Sequence, residues 1–195
     1  MRNNEHEHEL PPLMLPGYAE SYIKLAKNRV LIVSEDVSDK LAADISAMLL
    51  YFDSIDSDSH IEMYIHSNGG AVTGLANIYD VMQMVKSPIK TICIGKCYSA
   101  AAVLLAAGTK GERYAFKNSS IMIHGVQSLF PVPGHDMTSS KNYFEYLNEY
   151  NNNIMKMLAH HTGHSVSKVA EDCKQDIWLT AKQALDYGLI DHIVS

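Results

Sequence analysis

The feature that most narrows what this chain can fold into is a repeated change of hydrophobic period. Short apolar runs rich in β-branched residues occupy residues 29–34 (RVLIVS), 61–66 (IEMYIH) and 90–95 (KTICIG), and each predicts a strand. Between them the apolar residues recur at helical spacing. Leu41, Ile45, Met48 and Leu49 follow a cap at Ser38 or Asp39. Leu75, Ile78, Tyr79, Met82 and Val85 predict a helix that runs to about Lys86 and stops before Pro88. Residues 98–108 read as a short, nearly all-apolar buried helix, and residues 113–116 and 120–124 as two more strands. Strands alternating with helices need crossover connections, so the pattern predicts an α/β fold with a mostly parallel sheet flanked by helices.

The C-terminal third is helical. Over residues 136–161 a seam of Tyr143, Leu147, Tyr150, Ile154, Met157 and His161 recurs at steps of four and three, which suits packing against the chain's own core or another subunit. Gly163 ends that helix, short helices follow at 165–173 and 180–187, and Gly188 takes a C′ position. A chain of 195 residues holds one domain with a proper core. No repeat or linker divides it, so residues 17–195 are expected to form one domain behind a flexible tail, residues 1–16. His6 and His8 in that tail have no further ligand nearby in sequence, so a solvated tail is the expectation and no metal site is assigned. A formal net charge of -6 argues against general nucleic-acid binding. No apolar run approaches a membrane span, and the N-terminus lacks a secretory h-region. Three irregularly spaced cysteines fit neither a disulfide framework nor a zinc site, so a reduced, cytoplasmic setting is expected.

Two strand-to-helix junctions could carry chemistry. Residues 66–70 (HSNGG) place two glycines before a helix, where free N–H groups can meet a negative oxygen; a plain turn is the ordinary reading of such glycines. Ser99 stands among small residues where a strand gives way to an apolar helix, a setting that exposes a hydroxyl at the helix's positive end or simply caps the helix. His124 closes a strand, and Asp176 precedes a short apolar stretch. Each has an ordinary structural reading when taken alone.

Taken together, these residues identify a resemblance. The stretches 64–70 (YIHSNGG), 78–83 (IYDVMQ), 91–95 (TICIG) with Ser99, 104–108 (LLAAG), 118–124 (NSSIMIH), 161–163 (HTG) and 184–191 (ALDYGLID) resemble, in order and spacing, the proteolytic subunit of Clp protease, a caseinolytic serine peptidase. The resemblance covers residues 22–194. It implies the crotonase-like Clp-protease fold with a long protruding handle helix at about 136–161. It also implies an ATP-dependent serine endopeptidase that uses no cofactor. Ser99 would be the nucleophile, His124 the general base and Asp176 the orienting acid, with the backbone N–H groups of Gly70 and Ala100 as the oxyanion hole. Gly69, Gly125, Val126 and Gln127 would meet substrate, partly by strand addition. By the same resemblance, subunits form heptameric rings, stacked as a 14-mer, and an AAA+ ATPase unfoldase delivers unfolded protein substrates.

The chain departs from that family pattern at several points. Asn68 replaces the proline before the two glycines, Ala100-Ala101 replace Met-Gly, and Gly125-Val126 follow His124 in place of Gln-Pro. An apolar segment, residues 129–133 (LFPVP), replaces a glycine-rich one, and Gln175 stands where an arginine commonly pairs between rings. No axial-loop motif is recognisable in residues 10–19. A phage-type capsid-processing relative, a catalytically silent subunit of a mixed ring and a crotonase-type acyl-CoA enzyme are the alternatives.

Overall fold

A computed structural model of the chain describes residues 19–127 and 136–195. The tail at 1–16 and the apolar segment 129–133 lie outside the described residues. In chain order the elements are α1 (Ala19–Lys27), β1 (Val30–Val33), α2 (Asp39–Ile55), β2 (Ile61–Ser67), α3 (Val72–Met84), β3 (Ile89–Tyr98) and α4 (Ala100–Ala106). There follow β4 (Arg113–Phe116), β5 (Ser120–Ile123), α5 (Met137–Thr162), α6 (Val166–Asp172), β6 (Ile177–Thr180), α7 (Ala181–Tyr187) and β7 (His192–Val194). Helix ends follow local chemistry. The Ser38 hydroxyl accepts from Leu41 N to start α2, and Thr180 and Gln183 form a reciprocal capping box on α7. Gly163 and Gly188 end α5 and α7 in the left-handed conformation.

The sheet runs β1-β2-β3-β4-β7 with every pair parallel, and β5 and β6 complete it off that path. Strand β3 is the pivot. Its first half pairs with β4 through Thr91–Cys93, and its second half pairs with β5 through Lys96–Tyr98. The switch is made by a bulge. Ile65 faces Cys93, yet Ser67 faces Cys97, so β3 spends extra residues where β2 spends one. Gly95 sits in that bulge at φ +73. The Nδ1–H of His66 donates to Ile94 O at 2.7 Å, and Ser119 Oγ accepts from Gly95 N at 3.1 Å. The predicted strand end at Gly95 is therefore corrected: the glycine bends the strand, which continues to Tyr98. The buried helix accordingly starts at Ala100 rather than 98, and α3 stops at Met84, two residues earlier than expected. The structure adds α1, β6 and β7 to the elements expected from the sequence.

Every residue of α4 is buried, so this helix is the centre of the core on which the site stands. Its far end is fixed by Arg113, 1% exposed, which donates to Ala106 O and His161 O and forks onto the Asp191 carboxylate at 2.7 and 2.8 Å. Burial alone would raise the Asp191 carboxyl, but the Arg113 fork overrides this and holds it at about 2. The long helix α5 joins this core only through its second half, where Ile154, Met155, Leu158 and Ala159 are buried. Of the predicted seam, Leu147 and Ile154 are buried, whereas Tyr143 is exposed, beside exposed Phe144 and Tyr146. Among the described residues no helix is long and apolar enough to cross a membrane.

Candidate active site

Ser99 is built by the junction it occupies. Pairing with β5 carries β3 up to Tyr98, and Ser99 N donates to Met122 O at 2.8 Å. The chain must then turn directly into α4, which forces Ser99 to φ 55, ψ -123, a conformation that L-residues avoid at a cost of about 1–3 kcal/mol. Its hydroxyl makes no cap bond to the helix. It lies instead 2.8 Å from His124 Nε2. This strained strand-to-helix turn, with the hydroxyl turned toward an imidazole, follows the logic of a nucleophile elbow without its sequence signature.

The glycine junction meets the serine junction from β2. Val37 N donates to Gly69 O and Ala71 N to Val37 O, both at 2.7 Å, so the 69–71 segment is strapped to the loop before α2. In such a parallel bridge the Gly70 N–H points away from Val37. Gly70, Ser99, Ala100 and His124 line one cavity of about 110 Å³. Ala100 is the first residue of α4, so its N–H has no intrahelical acceptor. Gly69 sits behind this face rather than in it. It is buried, its N–H donates to Ser67 Oγ and its carbonyl is taken by Val37. Its backbone offers nothing to a substrate strand; what it supplies is close approach to Ser99.

His124 leaves the end of β5, and its ring nitrogens face different partners. With the proton on Nδ1, Nε2 is free to accept from the Ser99 hydroxyl. Nδ1 is buried and has no hydrogen-bond partner among the described residues. Asp176, in the loop before β6, brings its Oδ1 to 4.0 Å from it, an ion-pair distance that is too long for a hydrogen bond. The antiparallel pairing of Ile123 with Ile177 places Asp176 there. Gln127 Nε2 donates to that same Oδ1 at 3.3 Å.

The segment after His124 is pinned as well. Gly125 N donates to Cys173 O at 3.0 Å, and Val126 N to Asn151 Oδ1 on α5 at 2.9 Å. Asn151 therefore fixes the segment after His124, a role that no sequence signal singles out; asparagine in the middle of a polar helix stretch carries no mark of its partner. Below the polar rim the cavity is closed by Val72, Leu75, Val103, Ile123, Ile154 and Leu158, so it fits an apolar side chain. Cys173 stands close by, but burial first and Asp172 second push its thiol up to about 11, which keeps it protonated and a poor nucleophile. Thus the structure brings Ser99, His124, Gly70, Ala100, Gly125, Val126 and Gln127 to one cavity, sets Asp176 at its edge and leaves Gly69 behind it.

Comparison with known proteins gives one family. The family model for Clp protease matches residues 17–195. The chain is 41% identical over 180 residues to ATP-dependent Clp protease proteolytic subunit 1 of Cutibacterium acnes, covering 90% of this chain and 81% of that one. It is 40% identical over 184 residues to proteolytic subunit 2 of Streptomyces coelicolor, covering 90% and 80%. Against proteolytic subunit 1 of Thermobifida fusca it is 38% identical over 199 residues, covering 93% and 85%. A match of this extent, over nearly the whole chain, shows that the chain belongs to the Clp protease family as a peptidase subunit.

Proposed function

We propose that Ser99, His124 and Asp176 form the catalytic triad of this peptidase, with Gly70 N–H and Ala100 N–H as its oxyanion hole. The observation that carries the reading is the 2.8 Å contact between Ser99 Oγ and His124 Nε2, made by a serine whose hydroxyl is released from helix capping. Ser99 Oγ attacks the scissile carbonyl carbon as its proton passes to His124 Nε2. The carbonyl oxygen becomes an oxyanion held by the two N–H groups; loss of one such donor costs about 3–4 kcal/mol of barrier. His124 returns the proton to the leaving amine, which departs and leaves an acyl-enzyme ester on Ser99. Water, deprotonated by the same imidazole, then releases the acid and restores the hydroxyl. Asp176 holds the imidazole and stabilises its charged form.

Substrate would be an extended, unfolded segment running along Gly125, Val126 and Gln127. Since the N–H groups of Gly125 and Val126 already have partners, strand addition would use the carbonyls of this segment. An apolar side chain N-terminal to the cut would enter the cavity beneath. Residues 17–195 would form a single cytoplasmic peptidase domain of a heptameric ring, stacked as a 14-mer and fed by an AAA+ ATPase. Exposed Met137, Tyr143, Phe144 and Tyr146 on the outer half of α5 support its use as the handle between rings. The test is intact-mass spectrometry after fluorophosphonate treatment, with peptide mapping. One adduct on Ser99, absent from Ser99→Ala along with all peptide hydrolysis, is the expected result. An unmodified Ser99 or an active Ser99→Ala protein refutes the assignment.

A further inference from the structure

We infer that Gln127 is a positioning residue that competes with His124 for the Asp176 carboxylate and gives it up when a substrate strand docks. The inference rests on the triad reading above. Three observations meet at one oxygen. His124 Nδ1 is buried without a hydrogen-bond partner among the described residues. The nearest carboxylate oxygen, Asp176 Oδ1, stands 4.0 Å away. That oxygen already accepts from Gln127 Nε2 at 3.3 Å.

A buried imidazole N–H normally finds its acceptor, because an unmade bond there forfeits the full desolvation cost of the group. Here the acceptor is close and correctly charged, but it is drawn to the other side. Asp176 is free to move, since its side chain is 42% exposed and it precedes β6 rather than belonging to it. Gln127 is exposed and lines both the cavity at Ser99 and the neighbouring one along α5. It thus belongs to the extended segment that would receive substrate and, through its side chain, to the acid of the triad. A peptide laid along Gly125–Gln127 would occupy the space of the Gln127 amide and free Oδ1 to close on Nδ1. The closing step breaks one hydrogen bond and forms a shorter one to a nitrogen that becomes positively charged during acylation, when the contact matters most. Closing from 4.0 Å to hydrogen-bond contact strengthens the ion-pair attraction by roughly 40%. At an effective dielectric of about 20, less the screening of an exposed carboxylate, this corresponds to roughly a three- to ten-fold rate gain.

The experiment compares a small fluorophosphonate, which does not lie along residues 125–127, with an extended fluorogenic peptide, on the full chain in its native assembly. Gln127→Met keeps the side-chain length and removes the donor. The expected result is a fluorophosphonate rate at Ser99 raised roughly three- to ten-fold, a smaller gain in kcat for the peptide, and no gain from Gln127→Met in an Asp176→Asn background. A side chain with a merely structural role would not speed the reaction. An unchanged or slower fluorophosphonate reaction overturns the competition, and an equal gain with the peptide overturns release by substrate. Asp176→Asn itself separates the two levels. If it reacts as fast as the parent, the triad reading fails; if it is slow while Gln127→Met changes nothing, only the role of Gln127 fails.

Discussion

Gly69→Ala tests whether catalysis depends on the close approach of the two strand-to-helix junctions. Gly69 has φ +93, and a Cβ there would stand 2.6 Å from Tyr98 O, 2.8 Å from Ala100 N and 2.8 Å from Ser99 Cβ. None of these atoms can yield alone: Tyr98 ends a paired strand, and Ala100 begins a fully buried helix. Ordinary contact begins at 3.4 Å, so the junctions must separate by roughly 0.8 Å. A misplacement of about 1 Å at the reacting groups costs about 100-fold in rate, or about 2.7 kcal/mol of barrier. The expected result is a kcat about 100-fold lower with a much smaller change in KM, and an equal loss in the rate of fluorophosphonate labelling. Gly111→Ala supplies the control. Gly111 has a similar φ of +89 but nothing within 4 Å of its Cβ position, so it reports backbone strain without collision. It should lose about 1 kcal/mol of stability and keep full kcat. If Gly69→Ala retains kcat within about three-fold, or if the two variants behave alike, the argument from close approach is wrong.

Two further outcomes follow from the same structure. Ala100 lines the cavity of about 110 Å³, so Ala100→Met should fill much of it and lower kcat/KM for substrates with a large apolar residue before the cut by about ten-fold relative to small ones; an unchanged preference on a peptide panel would place that side chain elsewhere. Acid should destabilise the fold in two stages. Burial first, then His160, Arg113 and Lys110, lower His161 from 6.5 to about 4, so the unfolded chain binds the extra proton: stability is full above about 6.5 and falls by about 3 kcal/mol as pH drops towards 4. Asp191, held at about 2 against 3.8, adds a loss of about 2 kcal/mol as pH falls from 3.8 through 2. Urea midpoints measured from pH 7.5 to 4.5 should fall in the parent and stay flatter in His161→Gln; parallel slopes would contradict the burial argument.

The sequence by itself determined the kind and order of most elements, though not α1, β6 or β7. Helical spacing in α2, α3 and α5 and β-branched runs in β1, β2 and β3 are local facts, because each records which face of a segment must leave water. Gly163 and Gly188 likewise terminate helices through their own backbone freedom. Ser99, His124 and Asp176, the proposed triad, are individually ordinary positions in the sequence, and only their order and spacing, set beside a family, mark them. Other features had weak local signals. The three-residue β7 is too short to show a period, and the aromatic and β-branched character of β6 gains meaning only beside β5. Helix α1 carried a usable mark in its Glu20–Lys24 pair at i,i+4 spacing.

Only the tertiary structure decided what the site became. Gly95 has the same sequence character whether it ends a strand or bends one; pairing with β2 and β5, braced by His66 and Ser119, made it a bulge. That bulge carried β3 on to Tyr98 and forced Ser99 into a conformation that no propensity would choose. The approach of Gly69 to Ser99, the strap from Val37, the bond from Val126 to Asn151 and the sharing of Asp176 between His124 and Gln127 all join residues far apart in the chain. Periodicity fixes which face of a segment is buried but not its register against another segment, and the 2.8 Å contact between Ser99 and His124 is a matter of register.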